Sequence, residues 1–254
     1  MRPRLRGIAA QSWFGCMSKF WIPEHIHYCA ADGAIYCLDE RTDRYISVDA
    51  SKAQGMGDLV HGWPTESESG MLTGLPSADP EAVAEMLASE GLLTRDPRLA
   101  HTCRSAEAVM PQRALLAKAE GGSTCIRWSH CIRFIAACIA TFVTLKCFSL
   151  SFALDRLRAT KARAQARAVD APNMAHAREL VSVFLRLRVL VYSFNNACLF
   201  DSITLARFLI AYDVCPIFVM GIMPRPFRAH AWVQYDDVAF NTEPGLGYRP
   251  ILTI

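Results

Sequence analysis

Cys198 opens the run CLFDSITLARFLIAYDV, and His230 lies in the stretch AHAWVQYDD. A thiol and an imidazole are the nucleophile and the base of cysteine hydrolases and acyltransferases. Leu199, Ile203, Ala206 and Leu209 mark one buried face of a predicted helix, which places Cys198 in its first turn. Backbone N–H groups and the helix dipole at such a position favour thiolate over thiol. The two residues are far apart in the chain, so the fold must bring them together.

The segments around His230 read as a small sheet. Residues 217–222 (IFVMGI) form a strand, Met223-Pro224-Arg225-Pro226 a turn, and residues 229–235 a second strand with His230 near its start. Asp236-Asp237 is a turn, and residues 238–242 a third strand. A catalytic imidazole needs a partner on its other ring nitrogen. A two-residue turn places Asn241 and Glu243 on the face of His230, whereas a three-residue loop places Thr242 there. Asn241 can orient the ring by a hydrogen bond and is the first candidate; Glu243 can do so with a charge and is the alternative. Trp232 is read as packing beside the histidine. Asn195 or Asn196, just before the nucleophile, could contact an oxyanion or simply cap the loop. The order, cysteine first and histidine later, is that of papain-like sites.

Upstream, HIHYCAA, AIYCLDE and RYISVDA read as three short strands, with Asp32-Gly33 as a hairpin turn and Arg41-Thr42-Asp43 between the second and third. Residues 50–62 have a weak helical pattern and are followed by a Pro/Ser/Gly-rich break. Asp79-Pro80 is an N-cap and first turn of a helix that Gly91 stops. Residues 126–168 are helical, apolar first and then basic (Arg156, Arg158, Lys161, Arg163, Arg167), and residues 175–192 form another helix. The division expected is a tail at 1–24, a strand-and-helix unit at 25–98, a linker at 99–125 and a catalytic unit at 126–254. The class is α+β.

Composition bounds the rest. The 254 residues are 52% hydrophobic and 20% charged, which suits packed cores and argues against global disorder. A net charge of +3, without a zinc-finger spacing or a phosphate loop, argues against nucleic acid as a partner. Ten cysteines without a CxxC pair argue against a metal site and read as reduced thiols of a cytoplasmic protein. Cys131, Cys138 and Cys147 are read as small core residues. The apolar stretch at 132–154 is interrupted by Arg133 and Lys146 and is expected to be a buried helix, not an integral membrane span. Residues 1–16 have no continuous apolar core of a secretory signal; they read as a loose tail or as preceding a start at Met17.

The segments ACLFDSITLARFL, PIFVMGI, RPFRAHAWVQYDD, VAFN and YRPILTI resemble the carboxy-terminal half of lasso peptide biosynthesis B proteins. Residues 25–95 are similar to the PqqD-like recognition element fused to those proteins, with RYISVDA as the telling segment. The resemblance implies a small winged-helix-like domain followed by a papain- and transglutaminase-like cysteine peptidase. It implies a leader peptidase that binds the leader of a ribosomally made precursor and cuts it from the core. A partner cyclase similar to asparagine synthetase would then use ATP to close a macrolactam; no cofactor is expected on this chain. The leader would add as a strand beside Arg44–Val48, with Tyr45 and Ile46 as contacts and the helix at 80–90 behind them. In that family an Asp usually follows the Asn of the last strand, and here Thr242 stands there. Two other functions fit the same residues: a non-catalytic leader-binding adaptor, for which the Thr242 departure speaks, and a transglutaminase-type acyltransferase.

Overall fold

The computed structural model describes residues 19–64, 79–100, 109–115, 125–167, 174–192 and 197–254. In chain order the elements are β1 (Phe20–Trp21), β2 (Ile26–Ala31), β3 (Ala34–Asp39), β4 (Arg44–Asp49), α1 (Ala50–Ala53), α2 (Met56–Leu59), β5 (Val60–His61) and α3 (Pro80–Ser89). Then follow β6 (Arg113–Ala114), α4 (Trp128–Cys147), α5 (Leu150–Arg167), α6 (Met174–Arg188), α7 (Cys198–Ile210), β7 (Ile217–Met223), β8 (Arg228–Tyr235), β9 (Val238–Ala239) and β10 (Arg249–Thr253).

The first unit is a mixed β/α region. Strands β2, β3 and β4 form an antiparallel sheet in that order. Asp32 and Gly33 take φ of 46° and 75°, the left-handed pair that a tight two-residue hairpin requires. Asp79 caps α3 by accepting from the Glu81 N–H at 3.0 Å, as the Asp-Pro signal implied. Strand alternation gives the sheet two buried faces. Ile26, Tyr28, Ile35, Cys37, Ile46 and Val48 face a core shared with α1–α3. Cys29, Leu38, Tyr36 and Tyr45 face the core of the carboxy-terminal unit.

That second unit sets helices α4–α7 against a five-stranded sheet of order β10-β7-β8-β9-β6. Helix α7 lies at the centre, buried along most of its length and packed on β8 and on α4, α5 and α6. A buried ion pair fastens the two units together. The Glu40 carboxylate, 2% exposed, accepts from Arg158 of α5 (3.1 Å to Nη1, with a second, shorter bond from Nη2) and meets His27 Nε2 at 2.6 Å. The Glu40 carbonyl accepts from the Ser151 N–H at 3.0 Å.

Three sequence expectations change. Residues 19–24 belong to the first unit, because β1 pairs with β5 and Trp21 exchanges backbone hydrogen bonds with Thr94. The stretch read as a linker contributes β6, an edge strand of the second sheet, which pairs with β9 and is fixed by Arg113 on Asp237 at 2.7 Å. Helix α4 is not a buried helix. Its inward face is His130, Phe134, Ala137, Cys138, Thr141 and Thr144, while Trp128, Ile132, Ile135, Ile139, Phe142 and Val143 are exposed. By length and composition alone it could cross a membrane. Of the three cysteines read as core, Cys138 is buried, Cys131 half-buried and Cys147 exposed.

Candidate active site

Cys198 is the first residue of α7 and is half-buried. The N-cap, Ala197, has no side chain to satisfy the first-turn N–H groups, so these stay available at the thiol. Asn195 and Asn196, the oxyanion candidates, lie outside the described residues.

His230 sits on β8 opposite Gly221 of β7. A Cβ on Gly221 would come within 2.7 Å of the Trp232 ring, so glycine makes room for the indole. Trp232 is fully buried, with its Nε1–H on Gln234 at 2.6 Å and its ring 6.1 Å from the imidazole, nearly parallel. It packs beside the histidine, as expected. Tyr248 covers another side of the imidazole at 5.0 Å. Burial pushes the His230 pKa below the ordinary histidine value, and the charge of Asp201 acts in the opposite sense. The ring is therefore neutral near pH 7, the state a general base needs.

The partner of His230 is Thr242, whose Oγ1 lies 3.0 Å from Nε2. Asn241 does not reach the imidazole. The Asp236-Asp237 turn does have two residues, with Tyr235 opposite Val238. The ladder, however, stops early. The Asn241 side chain, not a backbone carbonyl, accepts the Val233 N–H at 2.9 Å, and the chain bends there. The bend carries Thr242 onto the histidine and turns the Asn241 amide inward, where it donates to Asp201 at 3.0 Å and to Ser202 at 2.9 Å. Glu243 is exposed beside the cleft that His230, Thr242 and Tyr248 line, and it makes no hydrogen bond to the imidazole among the described residues.

Helix α7 holds this corner together. Ser202 Oγ donates to the carbonyl of Ala231, next to His230, at 2.8 Å. Asp201, 3% exposed, accepts from Arg188 at 2.9 Å, from the Tyr192 hydroxyl at 2.8 Å and from Asn241. The neighbours of both His230 and Thr242 are thus tied to one turn of α7. Cys198 lies one turn before Ser202 on the same helix face. Sequence reading named Cys198 and His230, weighed Thr242 only for a longer loop, and did not single out Asp201. An acid three residues after a helix-start cysteine, in a mostly apolar helix, was the signal for it.

With Nε2 on Thr242, Nδ1 is the nitrogen left to face a thiol. No hydrogen bond joins Cys198 to His230 among the described residues; such bonds often tighten only when substrate binds. No cluster of three or more metal-ligating side chains occurs among the described residues.

Tyr45 and Ile46 fall on opposite faces of β4, an edge strand of its sheet. Tyr45 packs toward the second unit and Ile46 toward the first. The helix that packs on β4 is α1, with α3 resting on α1 and α2. The expected groove between β4 and the helix at 80–90 is thus occupied by α1.

Residues 137–253 match the model of the transglutaminase-like superfamily. No curated protein and no solved structure matches the chain. The matched region holds α5–α7 and strands β7–β10 with Cys198 and His230 among them, so the part of the chain that carries both residues is similar to the transglutaminase-like superfamily.

Proposed function

We propose that this chain is a leader peptidase of lasso peptide maturation, a cysteine hydrolase that cuts one bond of a ribosomally made precursor. The observation that carries the reading is the arrangement of helix-start thiol, strand imidazole and Thr242 inside a transglutaminase-like domain. In the proposed reaction the Thr242 hydroxyl accepts the Nε2–H of neutral His230, and Nδ1 takes the Cys198 proton. The thiolate attacks the scissile carbonyl, and first-turn N–H groups of α7 stabilise the oxyanion. The imidazolium then protonates the leaving amine, and the C–N bond breaks to give a thioester. Water, deprotonated by the same imidazole, attacks the thioester; the acid product leaves and the thiol is regenerated.

The first unit supports a binding role. Among the described residues strand β4 has β3 on one side only, so its outer edge can accept an extended peptide by strand addition. We assign that edge, with Tyr45 and Ile46, to the leader, in a PqqD-like recognition unit. Tyr45 packs on the core of the carboxy-terminal unit, so a peptide on β4 would lie against the unit that carries the thiol. The liberated core amine suits an ATP-dependent cyclase as the next enzyme, and the cytoplasm suits both steps.

The test is the precursor peptide incubated with the purified chain, with and without the cyclase and ATP, followed by mass against a Cys198→Ala control. Cleavage at one bond, lost in the control, is the expected result. An intact but bound precursor would replace this reading with a delivery adaptor, and a cross-linked adduct with an acyltransferase.

A further inference from the structure

The β7–β8 turn brings Phe227 against the first unit. Its ring stacks on Tyr36 with centroids 6.1 Å apart and meets Tyr45 edge-on at 5.5 Å. Tyr36 and Tyr45 share the sheet face that looks at the second unit, and Ser47 stands directly across from Tyr36. With Ile46 and Pro224 these residues line an open cleft of about 280 Å3. That is just under the roughly 300–1,000 Å3 of pockets that take whole small molecules, so the space suits one large side chain.

Its chemistry is selective. The walls are three aromatic rings, a proline ring and an isoleucine; Tyr36, Tyr45 and Ser47 carry hydroxyls, and there is no Lys, Arg, Asp or Glu among them. A carboxylate placed there would lose water without gaining a cationic partner, and an ammonium would meet ring faces and hydroxyls but no carboxylate. Phe227 stays 48% exposed although it touches two tyrosines, so its open side is free to cover a further apolar group. The position is also informative. The cleft borders the free edge of β4, and Tyr36 and Tyr45 pack on the same core as Leu199 and Phe200, the two residues after Cys198.

We propose that the Tyr36–Tyr45–Phe227 cleft is a specificity pocket for one aromatic or branched aliphatic side chain of the peptide substrate, on the leader side of the bond that Cys198 attacks. The assignment rests on the peptidase reading for its role, though not for its binding chemistry. A peptide added to β4 would place an alternate side chain in the cleft and pass on toward the thiol. The pocket spans both units, so it couples leader capture to positioning at the nucleophile.

The experiment has two arms, both on the full chain. Saturation-transfer NMR compares N-acetyl amides of phenylalanine, leucine, lysine and glutamate. Phenylalanine and leucine amides should bind, the lysine amide more weakly than either and the glutamate amide not at all, and both Phe227→Ala and the cleft-filling Ser47→Trp should abolish binding. Equal binding of all four amides, or binding indifferent to both variants, would overturn the pocket. In the second arm, precursor variants carry alanine at each position before the cut. One apolar position should raise KM about 10- to 100-fold, the range expected for burying one such side chain. Phe227→Ala should raise KM similarly for the parent peptide and leave that alanine variant unaffected. Independent, additive effects at every position would overturn the substrate role. If the wild-type chain cleaves nothing while the amide pattern holds, the pocket stands and the peptidase reading falls.

Discussion

Replacing Thr242 by valine removes the hydroxyl from Nε2 of His230 and changes little else in shape. Thr242 is 8% exposed, so water does not readily take the place of the hydroxyl. A buried polar group left without its partner costs about 1–3 kcal/mol. His230 is only half-buried, which favours the lower part of that range. At about 1.4 kcal/mol per factor of ten, kcat/KM should fall about 10-fold. The hydrogen bond is stronger to imidazolium than to neutral imidazole, so its loss lowers the His230 pKa further, in the direction burial already sets. The limb of the rate profile that requires neutral histidine should move to lower pH. Thr242→Asp places a carboxylate at the same nitrogen, raises that pKa and moves the limb to higher pH. The assay is kcat/KM for precursor cleavage from pH 4 to 9. A valine variant with wild-type rate and profile, or two variants that shift the limb in the same direction, would refute the role given to Thr242.

Four further outcomes follow from the packing. Asp201→Ala removes the carboxylate from a buried ion pair with Arg188, itself 8% exposed, and should cost about 3–5 kcal/mol in urea unfolding. Asn241→Ala removes three hydrogen bonds that end the strand and tie it to α7; it should cost about 2 kcal/mol and slow turnover with no shift of the pH limb, unlike the Thr242 variants. For Glu40, burial raises the carboxyl pKa, but the hydrogen bonds from His27 and Arg158 and the charge of Arg158 outweigh it, leaving the folded value below the ordinary one. Its contribution is therefore complete above the unfolded pKa near 4.5 and is lost as pH falls through the folded value. Thermal melts should show wild type losing stability in that acid window and Glu40→Gln losing less. Ile139→Glu on α4 should change stability by less than about 0.5 kcal/mol, because the side chain is 59% exposed; a larger loss in urea unfolding would contradict the orientation of that helix.

Much of this fold can be read from residues whose constraints are local. Asp32-Gly33 permits one tight turn, and Asp79-Pro80 starts a helix wherever it occurs. The Asp236-Asp237 hairpin and the helix-start placement of Cys198 are of the same kind. What escaped depends on contacts between distant segments. Arg113–Ala114 is too short to show as a strand, and only its pairing with Val238–Ala239 makes it one. Asn241 looked like the partner of His230 because regular alternation was carried one residue beyond the last ladder bond; its own amide ends that ladder. Helix α4 misled for the opposite reason. Hydropathy measures how apolar a stretch is, not which face the core takes, and here the core takes His130, Thr141 and Thr144 while isoleucines face outward.

The central claim is that His230 activates Cys198. Brief iodoacetamide treatment near pH 7, mapped by mass over every cysteine peptide, tests it without a substrate. Cys125 and Cys147 are exposed and serve as internal standards. The account predicts that half-buried Cys198 is alkylated before either of them and that His230→Ala removes the advantage. A Cys198 that reacts no faster than Cys125 and Cys147, or one whose rate ignores the loss of His230, would contradict it.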